Sequence, residues 1–236
     1  GHGGKRCNPA FLPGGQLPIG PCDIVDAQGK QVCQGMTRAW MDEILTGYRT
    51  SAQNCAMAGF DILTVHAGHG WLLAQFLSPL SNHREDEYGG SRENRCRFVI
   101  EVLQAVRAAA PKCVIELRIS GSELSKGGYD LAEGVELCKL LEPYVDMFQI
   151  SVGVMEDLFT WIIMHPSMFL PDGCNVYLAE AVKKAVKKPV SCVGALGDPE
   201  QLEEILASGK ADLVCLARSL VADPELPNKV RDGKTE

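Results

Sequence analysis

From residue 36 onward, apolar positions recur in two alternating periods, one helical and one short and continuous. Thr37 reads as a helix cap, and Trp40, Met41, Ile44, Leu45 and Tyr48 follow at helical spacing towards Met57, with Gly59 as the stop. Ile62-Leu63-Thr64-Val65 predicts a buried strand ending on His66. A short apolar segment, Trp71 to Leu77, leads through a polar loop to a helix with Phe98, Val99, Val102, Leu103 and Val106 on one face. Then come a strand over 113–119, a helix bearing Leu131, Val135, Cys138 and Leu141, and a strand over 145–152. An irregular stretch with Trp161, His165 and Pro166 precedes a helix capped by Asn175 and carrying Leu178, Val182, Ala185 and Val186. A strand over 189–193, a helix from Asp198-Pro199 to Gly209 and a strand over 211–216 complete the series.

This order predicts an α/β fold with a parallel sheet and right-handed crossovers. Five strands are too few to close an eight-stranded barrel, so the sheet is open or the chain is incomplete. Residues 1–35, punctuated by Pro9, Pro13, Pro18, Pro21 and eight glycines, show no periodic element and read as a loop or lid.

Composition narrows the function classes. The net charge is −7 and the 23 basic residues form no block, which argues against nucleic-acid binding. No apolar run reaches the ~18 residues of a membrane span, and no secretion signal is visible, so a cytoplasmic location is expected. None of the ten cysteines stands in CxxC spacing, which disfavours zinc and suggests reduced thiols. Cys96, Cys113, Cys138, Cys192 and Cys215 fall inside expected strands or helices, as small hydrophobes do.

Titratable residues gather at strand exits, where an α/β fold places its chemistry. His66 and His69 read as a metal pair, a phosphate clamp, or neutral donors to a substrate oxygen; two imidazoles are too few for zinc. The plainer alternative is one core and one loop histidine. Gly194-Ala195 and Ala217-Arg218 close two successive strands and together suggest a phosphate site, against a surface salt bridge for Arg218. Arg118, near another strand end, needs an anionic or carbonyl partner: the pyrimidine end of a flavin, or an internal carboxylate. A phosphate-binding lyase or isomerase would require a base at this rim, for which Glu123 and Lys126 are the nearby residues. A non-catalytic assembly module is a third class.

The stretch HAGHGWLLAQFLSPLSNHREDEYGGSRENRCRF, with ELRIS, PVSCVGAL and ADLVCLARSLVADPELPNKV, resembles the Old Yellow Enzyme family of FMN-dependent oxidoreductases. The resemblance is to its 2,4-dienoyl-CoA reductase-like branch and spans essentially the whole chain. HGGK at residues 2–5 is similar to the family's HxGR exit from the third barrel strand.

The resemblance implies a (β/α)8 TIM barrel with FMN, and NAD(P)H as co-substrate. The activity implied is reduction, or introduction, of a C=C bond in an enone or enoyl-CoA-like small molecule. His66 and His69 match the pair that binds the substrate's activating oxygen. Arg118 matches the arginine at the flavin edge, and Gly194, Ala195, Ala217 and Arg218 match the FMN phosphate site. Trp71 stands where many members carry a proton-donating tyrosine. An indole N–H cannot act as that acid, so protonation falls to water or another group, the reaction runs as desaturation, or Trp71 shapes the pocket.

The resemblance also implies that residues 1–236 are the C-terminal two-thirds of an FMN barrel, about five β/α units (36–236) preceded by the 1–35 lid, with the first strands absent. An iron–sulfur cluster and FAD would belong to sequence further downstream. The expectation for the 236-residue chain alone is weak or no FMN binding. The expected partners are the small-molecule substrate and a second copy in a homo-oligomer, with no nucleic acid and no membrane.

Overall fold

The computed structural model describes residues 3–234. After three short 3-10 turns come β1 (Ile19–Gly20), β2 (Ile24–Val25) and β3 (Gln31–Gly35). They form a small sheet of order β1-β3-β2, with β1 parallel and β2 antiparallel to β3. The expectation that residues 1–35 hold no regular element is thus corrected. These strands are two to five residues long, too short for a two-residue period to show.

The main body runs α1 (Arg38–Met57), β4 (Ile62–Ala67), α2 (Leu72–Leu77), α3 (Arg92–Ala109), β5 (Val114–Ser120), α4 (Leu131–Leu141) and β6 (Met147–Ser151). It continues with α5 (Leu158–Met164), α6 (Val176–Lys183), β7 (Val190–Val193), α7 (Pro199–Ala207), β8 (Leu213–Cys215), α8 (Arg218–Ala222) and α9 (Leu226–Arg231). The five later strands form one parallel sheet in sequence order, β4-β5-β6-β7-β8. Among the described residues, β4 and β8 each pair on one side only.

The two faces of this sheet differ because side chains alternate along each strand. Val65, Ile115, Leu117, Ile119, Phe148, Ile150, Val190 and Cys192 are all buried, and they pack with helix residues such as Cys96, Val99, Val102, Leu137 and Leu178. The opposite face is polar. His66, Arg118, Gln149 and Ser191 stand side by side on four successive strands, because His66 pairs with Arg118, Arg118 with Gln149, and Gln149 with Ser191. One row lower, Thr64 pairs with Glu116.

Helix starts follow their caps. Thr37, Ser91, Asp130 and Asp198 each accept a backbone N–H of the first turn. Asn175 precedes α6 but caps nothing; its Nδ2 donates to Ile163 O at 3.0 Å. α6 stops at Lys183, short of Ala185 and Val186, as the chain tightens through Ala185 N–H to Val182 O ahead of Pro189. α5 lies in the stretch read as irregular: Leu158, Phe159 and Ile162 are exposed, so no apolar stripe marks it. β6 and β8 are shorter than their apolar runs, and Cys113 sits one residue before β5. All ten cysteines are free thiols.

Among the described residues, no helix is long and apolar enough to cross a membrane. No group of three or more His, Cys, Asp or Glu among them could hold a metal ion.

Candidate active site

His66 is the fifth residue of β4 and lies on its polar face; His69 follows in the loop. Their ring centroids are 5.0 Å apart. His69 has φ 62, a left-handed backbone that costs energy for a residue with a Cβ. Neighbouring strands hold it there. Its N–H donates to Ser120 Oγ at 3.2 Å, its carbonyl accepts from Met155 N–H at 3.2 Å, and Nε2 lies 2.7 Å from Ser151 Oγ. Leu124 and Ala195 are the other non-glycine residues with positive φ among those described. All three follow strands of the main sheet, so backbone strain collects on one rim.

Burial, followed by repulsion from His66, Arg118 and His165, pushes the His69 pKa down to about 3. The imidazole is therefore neutral at physiological pH, with one N–H and one lone pair. A donor role for His69 requires Ser151 Oγ–H to donate to Nε2, leaving the ring proton on Nδ1. Ser120 and Ser151, which orient this ring, were not singled out from the sequence. Each is the last residue of its strand and has the same facing as Arg118, so counting two residues on from Arg118 finds Ser120.

Arg118 is half-buried beside His66, and its Nε is buried with no hydrogen-bond acceptor among the described residues. Desolvation lowers its pKa; Cys215 and Glu116 act in the opposite direction. The internal carboxylate considered for it is present but engaged elsewhere. Glu116 Oε2 accepts from Thr64 Oγ1 at 2.7 Å and from Gln149 Nε2 at 3.5 Å. Gln149 Nε2 also lies 3.3 Å from Cys215 Sγ, while Gln149 Oε1 is buried without a donor. The polar face thus keeps an unused donor and an unused acceptor on adjacent strands.

Arg118, Gly194, Ala195, Ala217 and Arg218 line one cavity of about 460 Å³. The structure therefore brings the last four together with the strand arginine; His66, His69 and Trp71 stand outside that lining. Gly194 has φ 122, and a Cβ on it would lie 2.7 Å from Asn175 Nδ2. Asn175 thus serves the cavity wall rather than the helix it precedes. The strand ahead of Arg218 is not buried: β8 is a half-exposed edge, and Arg218 is exposed on the first residue of α8. Its Nη2 donates to Pro166 O at 2.6 Å, joining the loop after α5 to the end of β8.

Trp71 is half-buried directly ahead of α2. The amino-terminal segment docks beside it: Lys5 N–H donates to Gln75 Oε1 at 3.0 Å, and Gln75 Nε2 donates to Gly3 O at 3.0 Å and Gly70 O at 2.7 Å. His2 of the HGGK motif lies outside the described residues.

Glu123, at 1% exposure, accepts from Ser78 Oγ at 2.8 Å and Tyr129 N–H at 3.0 Å. Burial raises its pKa from 4.5 to about 7. A carboxyl raised on folding stabilises the fold fully below 4.5, and that contribution is lost as pH rises through about 7. Glu123→Gln keeps both acceptor contacts and removes the titration. The variant is therefore expected to hold its Tm between pH 4.5 and 7 while the parent's falls relative to it. Parallel Tm curves across that window would refute the assignment.

Comparison with known proteins places this geometry. The profile of the NADH:flavin oxidoreductase / NADH oxidase family matches residues 2–236. The chain is 37% identical to an NADH oxidase of Thermoanaerobacter brockii, over 99% of this chain and 36% of that protein. It is 36% identical to an NADPH dehydrogenase of Clostridium acetobutylicum, over 88% of this chain and 59% of that one. A solved 2-naphthoyl-CoA reductase superposes with a TM-score of 0.86 at 29% identity, covering 99% of this chain and 37% of the other. The chain therefore spans between one-third and three-fifths of the length of these relatives. With its histidine pair, strand arginine and glycine-lined cavity on one rim of a parallel sheet, the chain belongs to the NADH:flavin oxidoreductase / NADH oxidase family, the Old Yellow Enzyme family.

Proposed function

We propose that the protein reduces, or introduces, a carbon–carbon double bond conjugated to a carbonyl or thioester, with FMN as cofactor and NAD(P)H as electron donor. The observation that carries this is the His66–His69 pair, one ring held neutral, standing beside a strand arginine with an unused buried N–H. FMN, when bound, supplies hydride-transfer chemistry between the nicotinamide and the substrate's β-carbon.

The chain's residues divide the remaining work. His66 and His69 donate to the activating oxygen and stabilise the negative charge that grows there. Arg118 and Gln149 meet the polar edge of the flavin ring, which their unsatisfied Nε and Oε1 suit. Gly194, Ala195, Ala217 and Arg218 hold its phosphate; that all four line one cavity with Arg118 supports this. Trp71 shapes the substrate's approach, and the α-carbon proton comes from water or another group.

We further infer that the five-stranded sheet is part of an eight-stranded barrel, with residues 1–35 as a lid. Supporting this are the single-sided pairing of β4 and β8 and the exposure of Ile62 and Leu213 on them, at 50% and 43%.

The test is spectroscopic. The full-length protein is expected to purify with flavin absorbance, to bleach anaerobically with NADH or NADPH, and to recover its colour on addition of an enone. Absence of bound flavin, or colour that no enone restores, would refute the reading.

A further inference from the structure

Beside Trp71 two cations share one carboxylate, Glu156, and one of them is poorly satisfied. Lys5 Nζ is well held, donating to Ser81 Oγ at 2.8 Å and pairing with Glu156 Oε1 at 3.2 Å. Arg6 is not: its Nη1 lies 3.8 Å from Glu156 Oε2, beyond hydrogen-bond length, and its Nε is buried with no partner. Its side chain is only 25% exposed, so water does little to compensate. Glu156 has already turned its other oxygen to Lys5, and it packs so closely on Gly70 that a Cβ there would lie 2.4 Å from Oε2. The remaining carboxyl nearby, Glu123, is buried and engaged with Ser78 and Tyr129.

The Arg6 guanidinium carbon stands 5.9 Å from the centroid of the Trp71 ring. Trp71 belongs to the same turn as His69, two residues on, its N–H donating to Gly68 O at 3.3 Å. The neighbours therefore follow one another as imidazole, indole and guanidinium: His69 shares its turn with Trp71, and Arg6 lies over the indole. A planar guanidinium that keeps a donor unpartnered among the described residues suits a planar carboxylate, which it can bind through two parallel hydrogen bonds.

We propose that Arg6, stacked on Trp71, anchors a carboxylate at the far end of the substrate, which is thus an enone or enoyl thioester with a carboxylate remote from its double bond. This rests on the function proposed above and names its substrate class. Trp71 then has a positive role: it is the platform that orients the guanidinium, where a tyrosine would offer a smaller face.

The test compares benzylideneacetone with its para-carboxylate on the FMN-loaded full-length protein. The parent is expected to show a lower KM for the carboxylate. Arg6→Met, which keeps an unbranched side chain over the indole, is expected to raise that KM about tenfold, the scale of one charge-assisted contact. Its kcat, and both constants for the neutral enone, should stay within about twofold of the parent, with Arg6→Lys recovering part of the loss. Calorimetric binding of benzylacetone and its para-carboxylate repeats the comparison without turnover. A parent with no preference for the carboxylate, or equal shifts for both compounds in Arg6→Met, overturns the proposal. Failure of the parent to reduce the neutral enone would instead overturn the flavin reading, while calorimetry still decides on Arg6.

Discussion

Replacing His66 and His69 together by alanine is expected to abolish enone turnover while leaving flavin content at the parent level. Each donor aimed at a developing oxyanion contributes ~10²–10³-fold to rate, so the double variant should fall to background. On the proposed reading the two act on one oxygen, so each single variant is expected to lose most of the rate, and the losses should not add. Flavin content is the internal control, because neither ring lines the cavity formed by Arg118, Gly194, Ala195, Ala217 and Arg218. His69 is the more sensitive position structurally. Its backbone is left-handed, but alanine keeps the N–H bond to Ser120 and the carbonyl bond to Met155. Turnover that survives the double change would show that the pair does not hold the substrate oxygen.

Arg118→Met should move two measurements in opposite directions. Without flavin, Arg118 is a half-buried cation whose Nε has no acceptor and whose charge is disfavoured by desolvation. Replacing such a group by an apolar chain of similar length is neutral or stabilising. The flavin-free variant is therefore expected to melt no lower than the parent. With flavin, the same change would remove the charge-assisted hydrogen bond proposed for Arg118, worth roughly 1.5–3 kcal/mol, about ten- to a hundredfold in FMN affinity. Melting curves and flavin titration on the full-length protein measure both. A lower flavin-free Tm with unchanged affinity would make Arg118 a structural residue.

The central elements were legible in the sequence because their signals are strong and local. α3 carries an uninterrupted apolar stripe, α7 has Asp198 and Pro199 at its start, and β4 through β8 lie in short, mainly apolar runs. The two-residue period even places His66 and Arg118 on the same face once their register is known. What escaped depends on contacts between distant segments. The amino-terminal strands exist through pairing rather than periodicity. α5 exposes its apolar residues and resembles a loop. Asn175 looks like a cap, yet its side chain is drawn to Ile163 O and the wall around Gly194. Ser120 lies two residues on from Arg118 and is legible once that strand is read, but Ser151, which also orients His69, and the glutamine that engages Glu116 come from another strand and are not announced by it.

The backbone anchoring of His69 bears on how a ligand is received. Its peptide N–H is tied to the last residue of β5 and its carbonyl to the segment that follows β6, so the ring's position is set when the sheet forms. A loop histidine left free would have to be ordered by its ligand, at about 1–2 kcal/mol of backbone entropy per residue. Here that ordering has already happened during folding, so affinity for the substrate oxygen proposed to rest on this ring would not be diminished by it. Loosening Ser120 would return the cost to the binding step: a rim with the same two imidazoles would then recognise the same oxygen more weakly.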